Sequence, residues 1–224
     1  MNRLPIIALA SAALCGSALA FPTMNFDSKG KGRNVKISVD EGDHYSTVFS
    51  GELNLWFNTS ATDSVLLTGF CTTPDVVMSG GTWGVTATDT TFLGSKGGQI
   101  AHLVNTYAPS IFAAGDTSAH KDAAMALQLA VWEIAFETSS TFDVTDGLFR
   151  ATRTDGSAFT TAQASLINTY LSDDGSDVAP LYAAALDQHG HRTSQDIVTP
   201  VPEPASLGAL AVGLLGVLRR RNAK

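Results

Sequence analysis

Two side chains in this 224-residue chain stand out for the chemistry they could do, Cys71 and Gln128. A cysteine thiolate is a competent nucleophile. Of the two cysteines, Cys15 lies in an N-terminal export segment described below, which leaves Cys71 alone. An odd cysteine in an exported protein points to pairing with another chain or to a reactive thiol. The alternative is a buried, inert cysteine that packs as a small hydrophobe. Gln128 stands in the middle of MALQLAVWEIAFE, an apolar run from Met125 to Glu137 with helical period. Ala124, Gln128, Val131 and Ala135 share one face, and Leu127, Ile134 and Trp132 widen the apolar stripe. An amide buried there is costly unless it is hydrogen-bonded. Bonding to a neighbouring backbone group is enough to account for it.

Other residue types are compatible with chemistry but lack a supporting pattern. Cys71, His102 and Asp116 contain the groups of a cysteine hydrolase, with no spacing that favours it. His102 is expected on the polar, solvated side of its helix. Asp173-Asp174-Gly175-Ser176-Asp177 is acidic enough to attract calcium but departs from the calcium-loop pattern, so it reads as a solvated turn. His189 and His191 flank Gly190 without further ligands. No metal site and no cofactor are expected.

The elements that must position these residues follow from periodicity. Asn34 to Asp40, Thr47 to Phe57 and Ser64 to Phe70 alternate as half-buried strands, and Cys71 sits at the end of the third. Thr72-Thr73-Pro74-Asp75 is a turn, and Gly84 to Thr91 is β-prone. A helix is expected over Gln99 to Tyr107, ended by Pro109, and a longer one from Ser118 as cap to about Glu137. Thr160 to Gln163 resembles a capping box opening a third helix to Leu171. Pro180 to Gln188 reads as a fourth helix, and Ile197-Val198 as a last strand. The fold class is α+β: an antiparallel β-rich N-terminal part with a helical part following, in a single compact domain. Its expected bounds are 34–199, after a flexible leader at 21–33.

Both ends carry targeting patterns. Residues 1–20 combine Arg3, an apolar stretch and Ala18-Leu19-Ala20, as in a secretory signal cut after Ala20. Residues 200–224 contain Pro202, Glu203 and Pro204, an uncharged apolar run from Ala205 to Leu218, then Arg219, Arg220 and Arg221. Fourteen apolar residues are short against the roughly 20 that span a bilayer as a helix. The arginines would remain on the cytoplasmic side. This order closely resembles the PEP-CTERM sorting signal of Gram-negative bacteria. The resemblance implies signal peptidase and exosortase as partners in export, transient inner-membrane contact through the tail, then the cell surface or extracellular matrix. Without these segments nine Lys and Arg face twenty Asp and Glu, a net charge of −11. No basic stripe is left for nucleic acid.

Phe70-Cys71 at a strand end, together with Leu127-Gln128-Leu129-Ala130-Val131-Trp132, resembles the thioester domains of bacterial surface adhesins. More weakly, the resemblance runs from Val35 to Ile197. It implies that Cys71 supplies sulfur and Gln128 the acyl carbon of an internal crosslink, formed with loss of ammonia. Phe70, Trp83, Trp132 and Phe136 would shield it from water. The implied role is covalent attachment to an amine-bearing surface or matrix target, by a stoichiometric self-modifying module and not a turnover enzyme. The alternative is a non-covalent structural or adhesion component of an exopolysaccharide matrix. Thr72 departs from the family, where an aliphatic residue often follows the cysteine.

Overall fold

The computed structural model describes residues 22–139 and 141–201. The export signal and the sorting residues Pro202, Glu203, Pro204, Arg219, Arg220 and Arg221 lie outside the described residues. Four strands open the fold: β1 (Thr23–Ser38), β2 (Ser46–Asn58), β3 (Ser64–Cys71) and β4 (Thr82–Asp89). Two helices follow, α1 (Gly97–Ala113) and α2 (Ser118–Phe136). Then come β5 (Arg150–Arg153), α3 (Thr161–Leu171), β6 (Pro180–Ala184) and β7 (Ile197–Val198). The fold is α+β, with every strand pairing antiparallel.

The pairings close on themselves. β1 pairs with β2, β2 with β3, β3 with β7, β7 with β6, β6 with β4, and β4 with the start of β1. Closure removes the open edges that invite wrong pairing. β5 adds to the far half of β1 through Val35–Ser38. Met24, Leu55, Phe70, Leu181, Ile197 and Val198 are wholly buried, and they come from five different strands of this ring. Gly69, two residues before Cys71, permits a close approach. A Cβ there would lie 2.5 Å from the Val198 carbonyl oxygen and would push β7 off β3.

Helix α2 is buried all round from Ala124 to Ile134, as a helix enclosed on every side must be. It packs against β1, β2, β3, α1 and α3. A polar clamp sets its angle on the sheet. Arg33 Nε on β1 donates to Asp122 Oδ1 at 2.7 Å, and Gln163 Nε2 on α3 donates to the same oxygen at 2.8 Å. Burial opposes the Asp122 charge, but these bonds outweigh it and hold the carboxyl below its ordinary range. Ser50 Oγ on β2 donates to the Met125 carbonyl at 3.0 Å, one turn before Gln128.

Four expectations are corrected. Within the expected flexible leader 21–33, the chain from Thr23 on forms the opening part of β1. Lysines and glycines mask the alternation there, and long-range pairing to β2 with burial of Met24 supplies the stability. Residues 180–184 form β6, not a helix, because β4 and β7 flank and pair them. Pro109 lies inside α1 and does not end it. The missing N–H frees the Asn105 carbonyl, and burial of Ala108 and Ile111 offsets that loss. The cap of α2 is Thr117, whose side chain accepts from His120 N, and Ser118 is the first helical residue. The capping box of α3 is present as the sequence indicates, from Thr160 and Gln163.

Candidate functional site

Cys71 ends β3, where it pairs with Ile197 of β7, and the chain then turns away through Thr72–Asp75. Gln128 projects from the middle of α2. The two residues are 57 apart in sequence, and the fold joins them directly. Cys71 N donates to Gln128 Oε1 at 2.9 Å, and Gln128 Nε2 donates to the Cys71 carbonyl at 2.7 Å. The side-chain amide thus pairs with the cysteine main chain as a neighbouring strand would. Both residues are about 1% exposed.

The thiol is dry. Burial pushes its pKa up to about 12, because a thiolate there loses its hydration. Two donors act in the opposite direction. Thr73 N donates to Cys71 Sγ at 3.2 Å. The Trp132 indole lies close enough to favour the thiolate, although its Nε1–H makes no hydrogen bond of normal geometry and is buried without a partner. Trp132 follows Gln128 by four residues, one helical turn, so both rise from the same face of α2. Thr73 is the site residue that the sequence reading did not single out. The turn beginning at Thr72 was its signal, since turn N–H groups fold back on the preceding residue.

The aromatic residues expected around the pair lie in different surroundings. Phe70 is wholly buried and stacks on Phe112 of α1 at 5.8 Å between centroids. Trp83 is buried on β4 opposite Met24, with its Nε1 unpartnered. Trp132 packs on Phe149 at 6.2 Å. Phe136 is half-buried at the end of α2.

Thr72 is 3% exposed, and its Oγ1 has no hydrogen-bond partner. Its methyl group fills space where an aliphatic side chain would fit, at the cost of a buried hydroxyl. Thr72→Val is therefore expected to raise stability by about 1 kcal/mol. Urea denaturation of the two proteins checks this, and an unchanged or lower midpoint would contradict it.

The remaining candidates are not brought to Cys71. His102 Nε2 lies 3.1 Å from Asp173 Oδ1 and its Nδ1 lies 3.0 Å from Asp177 Oδ2. Its ring also packs over Gly175. His102 is thus half-buried and held between two carboxylates. The acidic loop 173–177 is correspondingly a clamp on α1, joined by Tyr107 donating to Asp173 Oδ2 at 2.8 Å. Asp116 pairs with Lys121 at 3.2 Å. Cys71, His102 and Asp116 therefore form no triad. His189 and His191 are exposed with ring centroids 6.4 Å apart. Among the described residues no group of three or more His, Cys, Asp or Glu is arranged to hold a metal ion. No helix among them is long and apolar enough to cross a membrane.

Residues 200–222 match the PEP-CTERM protein-sorting motif. No curated protein and no solved structure matches the chain. The motif supports exosortase processing during export and transient anchoring through the C-terminal segment. The chain is accordingly similar to exported, surface- or matrix-associated proteins that carry this sorting signal.

Proposed function

We propose that Cys71 and Gln128 close an internal thioester, and that this exported protein uses it for covalent attachment to an amine-bearing surface or matrix partner. The observation that carries the reading is the two-way hydrogen bonding of the Gln128 carboxamide to the Cys71 main chain. A fixed geometry of this kind supplies much of the acceleration that a poor electrophile such as an amide needs. The bond from Cys71 N also polarises the carbonyl. As Sγ attacks the Gln128 side-chain carbon, negative charge grows on Oε1, which already accepts that N–H. The C–N bond then breaks. The thiol proton leaves with Nε2, which departs as ammonia, and the acyl–sulfur bond remains.

The same surroundings would preserve the product. Water is excluded, and a thioester is hydrolysed only as fast as water reaches it. Attack by a partner amine would transfer the acyl group to nitrogen and return Cys71 as a thiol. Each molecule would act once, as a stoichiometric module and not as a turnover enzyme.

One observation favours the second reading, a non-covalent surface or matrix component. A thiol raised to about 12 is almost wholly protonated at neutral pH, and Gln128 is already satisfied as an ordinary buried amide. Intact mass separates the two. The mature protein is expected to weigh one ammonia less than its sequence and to gain one methylamine at Gln128 when that amine is added. A full sequence mass, with Cys71 alkylated in the unfolded chain, would overturn the thioester and leave the non-covalent reading.

A further inference from the structure

The sorting motif begins inside the folded domain. Its match opens at residue 200, directly after Thr199, which is buried and donates its N–H to the Pro180 carbonyl at 3.0 Å. Val201 is held as well. Its N–H donates to Asn105 Oδ1 on α1 at 2.9 Å. The same carboxamide donates through Nδ2 to the Val178 carbonyl at 3.2 Å. Asp177 N, next to Val178, donates in turn to the Gly98 carbonyl at 3.0 Å, which ties that loop to α1. Asn105 is therefore fixed through both atoms of its amide, and it clasps the root of the sorting segment onto the domain. The Val201 side chain is 46% exposed, so a partner can reach it without unfolding the core.

Chain length gives this clasp its consequence. The apolar run of the sorting segment starts at Ala205, four residues after Val201, a reach of at most about 14 Å. An enzyme that reads the motif at the membrane therefore works against the domain surface. Opening the clasp back to Thr199 lengthens the reach to about 21 Å and frees the Val201 N–H. Extended peptides are recognised largely through such main-chain groups, and this one is already taken by Asn105.

We propose that Pro200 and Val201 are a docking segment for the membrane-bound sorting enzyme, and that the enzyme engages them by displacing Asn105. The clasp then sets how fast the anchored chain is processed. This role rests on the sorting motif and is independent of the thioester.

The test follows processing of the pulse-labelled precursor in its native cells. It compares the wild type, Asn105→Ala, Asn105→Asp, and a chain with a short Gly/Ser linker inserted after Thr199, which keeps motif residues 200–222 whole and detaches them from the domain. Asn105→Ala is expected to be processed about fivefold faster, the factor that one hydrogen bond of ordinary net strength supplies. Asn105→Asp keeps an acceptor for the Val201 N–H and is expected to match the wild type. The linker chain is expected to be at least as fast as Asn105→Ala, and adding Asn105→Ala to it should change nothing. Equal rates in the wild type, Asn105→Ala and the linker chain would overturn the proposal. So would an Asn105→Ala gain that persists in the linker chain, since that marks a general loosening of the domain. A second measurement reads the clasp directly. In the purified precursor held in detergent, amide exchange at Val201 is expected to be about fivefold slower in the wild type and Asn105→Asp than in Asn105→Ala. Equal exchange would overturn the clasp. If Val201 is protected and no chain is processed, the sorting assignment fails and the docking role fails with it.

Discussion

Gln128→Ala is expected to lower the stability of the uncrosslinked chain by about 3–5 kcal/mol and, where the thioester has formed, to abolish the ammonia deficit in mass and the crosslink as well. Two effects combine in that figure. The Cys71 N–H and carbonyl lose their partners while remaining buried, and a cavity opens at the centre of α2. Cys71→Ala separates the crosslink from the hydrogen bonds, since the Gln128 amide can still pair with the main chain of residue 71. If the thioester is present, Cys71→Ala loses the crosslink that closes a 57-residue loop. The chain-entropy argument assigns such closure about 4 kcal/mol. Opening the bond with methylamine in the wild type should then lower the urea midpoint by a similar amount. Without a thioester, Cys71→Ala costs only its small lost volume, about 1 kcal/mol, and methylamine changes nothing. Urea titrations of wild type, both variants and the methylamine-treated protein distinguish these outcomes.

Glu133→Gln is expected to remove a pH dependence of stability on the order of 2–3 kcal/mol between pH 5 and 8. Glu133 is wholly buried on α2. Its Oε1 accepts from Asp143 N at 2.8 Å, and its Oε2 has no partner. Burial raises its pKa to about 7; the Asp143 N–H bond opposes the rise, the charges of Glu137 and Asp143 add to it, and Lys96 opposes it. The sign follows from linkage. Below about pH 4.5 the group is protonated in both the folded and unfolded chain, and no penalty applies. From there to about pH 7 the unfolded chain releases the proton while the folded one keeps it, so stability falls as pH rises. Above pH 7 the folded protein carries a buried carboxylate and the whole penalty. Urea midpoints at pH 5 and pH 8 should therefore differ more for wild type than for Glu133→Gln. Equal pH slopes in the two proteins would contradict the assignment.

Local chemistry alone determined a good deal of this protein. The sorting pattern around Pro202-Glu203-Pro204 is contiguous, so no fold is needed to read it. The capping box at Thr160 and Gln163 closes within four residues, and it forms as written. Strands β2 and β3 announce themselves by alternation, and α2 by its apolar period. Cys71 and Gln128 stood out because a lone thiol and a buried amide are each costly or unusual without a purpose.

Tertiary structure decided what depends on residues far apart. The first half of β1 has weak strand character by itself, yet β2 and β4 pair with it and bury Met24. Residues 180–184 read as part of a helix in sequence, and pairing with β4 and β7 made them a strand. Enclosure of α2 on all sides made Glu133 a buried acid. His102 found Asp173 and Asp177, more than seventy residues away. That the Gln128 amide pairs with the Cys71 main chain follows from ring closure and the seating of α2. Those are long-range contacts, and no local propensity in the sequence encodes them.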